Sequence, residues 1–380
     1  MAPRVALTVL VAGVLAGLGA AAAQAPVAVP APGERLGINA QVLMQQRPSA
    51  RRRDRHLDAM RVGGIRLVRL DATWARAEPA PPRAPGRRRF DWRYDDRWVA
   101  ALAIRGMRWL PILDYSAHWA TSIWGKEHAP PATDALFAGY AKAFAARYGT
   151  GGTFWRRNPW LPALPVTTYE VWNEPNLRTF WGRRKPDPRR YAGLFLAARI
   201  ELKRTDPAGR VIVGGLAGRA GAPEYLRAMY RARPALRGRV DGVGLHLYAP
   251  TPEEMYARTA EMRRALDAVD RDGLPLDVTE IGWVARTPAE ERRRTTDLAR
   301  VARELPTSDC GIGLFLPHTW ESAERDPEKA GDWFGLVDPD ATLKPSGAAY
   351  LQVVAASPAA ESAPRALCAP APPSSAAQGR

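Results

Sequence analysis

Val166-Thr-Thr-Tyr-Glu-Val-Trp-Asn-Glu-Pro-Asn176 decides how this chain is read. It has the pattern of a buried strand that ends in Asn173-Glu174-Pro175. A carboxylate placed where a strand gives way to a loop is well sited for chemistry in an α/β barrel, whose active site lies at the C-terminal ends of its strands. One such carboxylate is weak evidence. Leu276-Asp-Val-Thr-Glu-Ile-Gly-Trp283 ends in the same way and carries Glu280.

Outward from these two stretches, strand and helix patterns alternate. Strands are predicted at Leu36–Asn39, Gly64–Trp74 and Gly106–Tyr115, then at the stretch carrying Glu174. They continue at Val211–Gly215, Val240–Tyr248, the stretch carrying Glu280, and Gly311–Trp320. Helices are predicted at Arg51–Val62, Asp95–Arg105, Asp134–Tyr148 (capped by Thr133), Tyr191–Arg204, Pro223–Ala232, Pro252–Asp270, Pro288–Glu304 and Leu343–Ala355. Loops fall at Ala77–Arg89, His118–Pro131, Gly149–Pro165 and Leu177–Arg190. The alternation favours a parallel sheet, and a count of eight favours a closed (β/α)8 TIM barrel. An open doubly wound sheet is the rival. It would want a Gly-rich first turn, and Gly37-Ile-Asn-Ala40 offers none.

The 380 residues suit one barrel of ~250 residues with insertions. Residues 1–25 have a basic start at Arg4, an apolar run and Ala23-Gln24-Ala25, the pattern of a secretory signal peptide. An uncleaved anchor is the alternative, and no later stretch is long and apolar enough to span a bilayer. Residues 26–34 form a Pro/Ala linker, 35–356 the barrel, and 357–380 a Pro/Ala/Ser-rich tail expected to be disordered. Cys310 and Cys368 lie in no thiolate metal motif. Cys310 opens an apolar strand as a small buried residue, and a disulfide to Cys368 depends on geometry. The net charge of +16 suits an anionic partner. Equally, it suits arginines scattered over solvated helix faces. No zinc-finger, P-loop or RNA motif supports nucleic acid. No metal or other cofactor is expected, because the five histidines show no ligand-type spacing.

Two carboxyl groups facing each other across a barrel mouth suit glycoside hydrolysis, with one protonating the leaving oxygen and the other attacking the anomeric carbon. The rival assignment is that each glutamate pairs with an arginine. Trp172-Asn173-Glu174-Pro175-Asn176 and the strand-seven glutamate resemble clan A glycoside hydrolases, with catalytic glutamates on strands four and seven, and in particular family 39 and family 5-like enzymes. The resemblance runs from about Leu36 to Ala355. It implies Glu174 as general acid/base, Glu280 as nucleophile and Asn173 as the group that binds the sugar 2-hydroxyl.

By location, the same resemblance implies supporting roles for several more residues. Arg69 would keep Glu280 ionised, or else pair with Asp71, which faces the same side at period two. His246 and Tyr248 would support the nucleophile. Trp320 would form a sugar platform. Apart from the resemblance, Trp74, His118, Trp119 and Trp283 follow strand ends and are candidates to line subsites, and His318 is a further candidate for the mouth although Pro317 before it makes the strand end irregular. The basic loops Ala77–Arg89 and Leu177–Arg190 flank the strand-two and strand-four ends, where they would meet an acidic glycan or simply form a solvated rim. The function expected is thus a secreted, monomeric retaining glycosidase of the cell envelope or environment with a carbohydrate partner, which the basic loops would suit to be acidic. The alternatives are a transglycosylase, a non-catalytic glycan-binding protein on the same barrel, and an anionic-polymer binder.

Overall fold

The computed structural model describes residues 32–84, 87–356 and 365–369. The signal-like segment, most of the linker and most of the tail lie outside the described residues. Eight strands form one sheet in sequential order, every neighbour pair parallel. They are β1 (Ile38–Asn39), β2 (Leu67–Thr73), β3 (Arg108–Asp114), β4 (Thr168–Val171), β5 (Arg210–Ala217), β6 (Val243–Leu247), β7 (Leu276–Ile281) and β8 (Ile312–Pro317). Gly37 donates to Phe315 O at 3.1 Å and Phe315 to Arg35 O at 2.8 Å, which joins the last strand to the first and closes the sheet. The barrel is therefore the (β/α)8 fold that the alternation predicts.

Between the strands lie α1 (Gln41–Gln45), α2 (Ala50–Val62), α3 (Trp74–Ala77), α4 (Arg93–Ala103), α5 (Asp134–Tyr148), α6 (Thr153–Arg157), α7 (Pro188–Thr205), α8 (Ala222–Ala232), α9 (Pro252–Asp267), α10 (Pro288–Glu304) and α11 (Pro345–Ala356). Four of the helix starts are locked by side chains that accept the free N–H groups of the first turn: Ser49, Asp187, Thr251 and Thr287, the last in a capping box with Glu290. Thr133 precedes α5, but its side chain makes no capping bond, so the predicted cap is positional only. The predicted loop 149–165 contains the short helix α6. Helix α9 ends at Asp267, three residues before the predicted Asp270.

The strands are buried on both faces, which is why they read as nearly continuous apolar runs. Inside this pattern, side chains at period two share a face. In β2 that face begins with Leu67, which forms a small apolar cluster with Leu110, Leu314 and Leu316. It continues with Arg69 and Asp71, so apolar packing gives way to charge along the strand toward its C-terminal end. Cys310 and Cys368 form a disulfide with Cα atoms 5.1 Å apart, tying residues 365–369 to the barrel just before β8. Among the described residues no helix is long and apolar enough to cross a membrane.

Candidate active site

Glu174 does not sit on β4 itself. The strand ends at Val171, and the chain then turns through Trp172 at φ 71° and Glu174 at φ 41°. Both are left-handed conformations that residues with a Cβ adopt at a cost, and such strain collects at functional sites. The turn is fixed to β5 at several points. Glu174 N donates to Gly215 O at 3.1 Å. Asn176 Oδ1 accepts from Ala217 N at 2.9 Å, and Asn176 Nδ2 donates to Ala217 O at 3.0 Å. The indole of Trp172 donates to Phe180 O at 2.9 Å. These bonds aim the Glu174 carboxylate back over the barrel axis.

Glu280, on β7, meets it there. His246 on β6 stands between the two, with Nδ1 2.9 Å from Glu174 Oε1 and 3.5 Å from Glu280 Oε2. One oxygen from each glutamate and one His246 nitrogen all lie within 4.8 Å of one another. Gly215 makes room for the imidazole, since a Cβ at that position would lie 1.9 Å from His246 Nε2. Two carboxylates and an imidazole this close have the donor set of a divalent-cation site. Here the positive charge among them is supplied by Arg69 and by the imidazole.

Arg69 is fully buried and central. It donates to Glu280 Oε1 at 2.7 Å, to Asn39 Oδ1 at 2.9 Å and to Asn173 Oδ1 at 3.2 Å. Its other edge holds Glu170 with bonds of 2.6 and 2.9 Å. Arg69 therefore pairs with Glu170 and Glu280 rather than with Asp71, whose Oδ2 accepts instead from Gln45 at 2.7 Å. Tyr248 donates its hydroxyl to Glu280 Oε2 at 2.7 Å, and Gln41 donates to Glu280 Oε1 at 3.2 Å. Burial alone would push the Glu280 carboxyl up. His246, Arg69 and the Tyr248 hydroxyl outweigh it and hold Glu280 well below the usual carboxylate range. His318, 3.9 Å from Glu280, also acts to lower it, while burial lowers the pKa of His318 itself. Burial also acts to lower His246, yet Glu280 and Glu174 more than reverse this and raise it.

The structure thus brings together Glu174, Glu280, Asn173, Arg69, His246 and Tyr248. It does not bring Trp320 to the mouth. The Trp320 ring is 1% exposed and donates to His56 Nδ1 at 3.1 Å. His56 Nε2 lies 3.2 Å from Pro339 O, and burial lowers His56 to about 4, so a neutral imidazole can accept the indole proton and donate at its other nitrogen. The reason for the departure is that β8 ends at Pro317, so the period-two count along the strand no longer fixes where Trp320 points. Trp283 is half-buried and donates to Pro250 O at 3.2 Å.

His118 is exposed at the rim of a cavity of about 790 Å³, whose lining also includes Gln41, Asp71, Tyr115, Asn173 and Phe180. The rings of Tyr115 and Phe180 are stacked 6.2 Å apart and supply an aromatic wall. Three participants were not singled out from the sequence: Glu170, Asn39 and Gln41. The available signal was a charged residue, Glu170, inside an otherwise apolar strand.

No protein-family model and no curated protein matches the chain. Solved structures do. A monomeric beta-xylosidase from Caulobacter crescentus CB15 aligns with a TM-score of 0.61 at 22% identity, over 86% of this chain and 69% of that one. A family 39 glycoside hydrolase from Bacteroides cellulosilyticus WH2 aligns at 0.62 and 21% identity, over 84% of this chain and 64% of that one. GH5_18 from Streptomyces cattleya, solved with GlcNAc, aligns at 0.61 and 17% identity, over 87% and 82%. The likeness is one of fold. The second and third of these bear the names of the two families, 39 and 5, that the sequence resembles. The match spans less than two thirds of the Bacteroides protein.

Proposed function

We propose that this chain is a secreted retaining glycoside hydrolase that cleaves O-glycosidic bonds of a polysaccharide or oligosaccharide. The observation that carries the proposal is that one oxygen of Glu174 and one of Glu280 lie within 4.8 Å of each other at the barrel mouth. Retaining enzymes hold their two carboxyl groups roughly 5–5.5 Å apart, whereas inverting ones leave roughly 6.5–9.5 Å for a water molecule.

Glu280, held ionised, attacks the anomeric carbon, and the bond to the leaving oxygen breaks as Glu174 gives that oxygen a proton. Glu174 then takes a proton from water, whose oxygen displaces Glu280 from the sugar. Asn173, oriented by Arg69, faces the same space and offers its amide to a hydroxyl beside the reacting carbon. Tyr115 and Phe180 offer an apolar surface to the C–H face of a sugar ring. No cofactor takes part in this chemistry, and a single barrel suffices for it, in keeping with a monomer. Secretion is supported by the signal-like pattern of residues 1–25 and by a disulfide of the kind that persists in oxidising compartments.

The test is product release from a glycan panel, with anomeric configuration followed by NMR, for the wild type and Glu280→Ala. The names of the matching structures put β-xylosides first in the panel and GlcNAc-containing glycans second. Release with retained configuration by the wild type and none by the variant is expected. Equal release by both proteins, or inverted product, would overturn the assignment.

A further inference from the structure

Three adjoining cavities run outward from the mouth. The one beside the glutamates has Asn173 and Gln41 at its inner end and reaches Arg47, Arg76 and Tyr94. A second, of about 410 Å³, shares those three residues and adds Arg53 and Arg97. A third, of about 300 Å³, shares Arg76, Tyr94 and Arg97 and adds Arg93 and Asp91. The resulting groove passes between the N-terminal ends of α2 and α4, over the ring of Tyr94. The Arg76 guanidinium lies 4.9 Å and that of Arg97 5.6 Å from the centre of this ring.

The local charges do not cancel. Arg93 is paired with Asp91, Arg76 with Asp95 and Arg53 with Asp54. Arg47 and Arg97 are exposed, and among the described residues neither side chain makes an ion pair or hydrogen bond. Arg47 also holds a left-handed backbone at φ 49°, a strained conformation at the junction between the inner cavity and the outer groove. The inner cavity is different in character. Its lining includes Asp71 and Glu127, and burial raises the pKa of Asp71, whose carboxyl is bonded to the Gln45 amide. That inner end suits neutral hydroxyls, and the outer groove suits anions.

We infer that the groove over Tyr94 binds an acidic glycan, with carboxylate or sulfate groups on Arg47 and Arg97 at sugars beyond the one that reacts. This deepens the hydrolase proposal and rests on it for the direction of the chain, because the groove's inner end opens at Asn173 and at Gln41, which touches Glu280. A basic surface serving nucleic acid would have no reason to run into that pocket. The arginines concerned are not those of the basic loops 77–89 and 177–190. There, Arg88 is bound to Glu78 and Arg190 to Asp134.

The experiment uses the full chain carrying Glu280→Gln, so that binding is read without turnover. Affinity electrophoresis is run through gels containing polygalacturonate, dextran sulfate or neutral arabinoxylan. Retardation by at least one polyanion and none by arabinoxylan is expected, and the polyanion that retards tells carboxylate from sulfate recognition. Adding Arg47→Glu and Arg97→Glu should weaken that binding on the order of tenfold or more, since charge-assisted contacts are lost. Adding Arg264→Glu and Arg292→Glu, an equal charge change at exposed sites on α9 and α10, should leave it nearly intact. The milder pair Arg47→Ala and Arg97→Ala serves if charge reversal disturbs folding. Equal weakening by the two reversed pairs, no polyanion binding, or tighter groove-dependent binding of a short single-stranded DNA would overturn the inference. Groove-dependent binding by the Glu280→Gln chain, together with no product release by the wild type from the glycan it binds, would refute the hydrolase proposal and leave the groove standing.

Discussion

Arg69 donates from Nη1 to Glu280 Oε1 at 2.7 Å while its opposite edge grips both oxygens of Glu170. One buried cation therefore holds the candidate nucleophile ionised and ties β2 to β4 and β7. Replacing it by methionine, which stops short of the guanidinium position, leaves two buried carboxylates without their partner, which costs about 3–5 kcal/mol of stability. It also removes one of the causes that keep Glu280 low, so the acidic limb of kcat/KM should move up by roughly 1–3 pH units. The sign follows from linkage. A carboxyl whose folded pKa is depressed contributes stability that is present above the usual glutamate range and is lost as pH falls through the folded value. Wild type should therefore lose this contribution progressively as pH falls from the usual glutamate range into strong acid, and Arg69→Met should carry a smaller contribution at neutral pH and lose it over a narrower, less acidic range. Unfolding midpoints against pH and a pH–rate profile check both statements. An unmoved acidic limb would mean that Arg69 is not what keeps Glu280 ionised.

Gly215 carries a prediction about position rather than charge. A Cβ there would meet the His246 imidazole at 1.9 Å, and Gly215 N also donates to Glu170 Oε1 at 2.8 Å. Gly215→Ala must therefore displace His246 from between the two glutamates. Activity should fall by roughly two orders of magnitude, because displacements of about 1 Å at a catalytic pair have that effect, with most of the loss in kcat. Wild-type kcat in a folded Gly215→Ala protein would show that the place of His246 does not matter.

The eight strands, their order and the meeting of Glu174 with Glu280 were legible because apolar runs alternate with amphipathic ones, and because both glutamates stand where strands end. What was not legible depended on contacts distant in sequence. Glu170 is a lone charge in a buried strand, and only the position of Arg69 across the barrel explains it. The choice of Arg69 between Asp71 and Glu280 could not be made from period two alone, because both acids face the same interior. Trp320 was misplaced because the chain leaves strand geometry at Pro317, three residues before it. The groove over Tyr94 joins segments from α2, α3 and α4, so no local pattern reveals it.

Trp320 leads to a prediction that separates a platform from a packing residue. Its indole N–H is bonded to buried His56, and its ring is in the core. Trp320→Phe removes that bond and leaves His56 Nδ1 without its donor, at a cost of about 1–3 kcal/mol in stability. KM on a cleaved glycan should stay within about twofold, since only lost uniform binding would raise it. A large rise in KM with unchanged stability would restore Trp320 to the sugar-binding surface.

The disulfide between Cys310 and Cys368 closes a separation of 58 residues. A cross-link of that span restricts the unfolded chain, which is worth ~2–4 kcal/mol. It is not the only tie on this segment. Asp309 accepts from the N–H groups of Leu367, Cys368 and Ala369. Burial would raise the Asp309 carboxyl, but these three donors prevail and hold it below the usual aspartate range. That contribution persists above the ordinary aspartate pKa and is lost as pH falls through the folded value. A variant with both Cys310→Ser and Cys368→Ser should unfold at lower denaturant concentration than wild type, and reductant should shift the wild type to the same midpoint. Its segment should still be protected from proteolysis at neutral pH and should lose that protection when Asp309→Asn is added. Activity should survive in all three proteins below their unfolding midpoints, because the tether lies next to the start of β8 and not at the mouth. Unchanged denaturation midpoints after removal of both cysteines would show that the cross-link adds no stability to this segment.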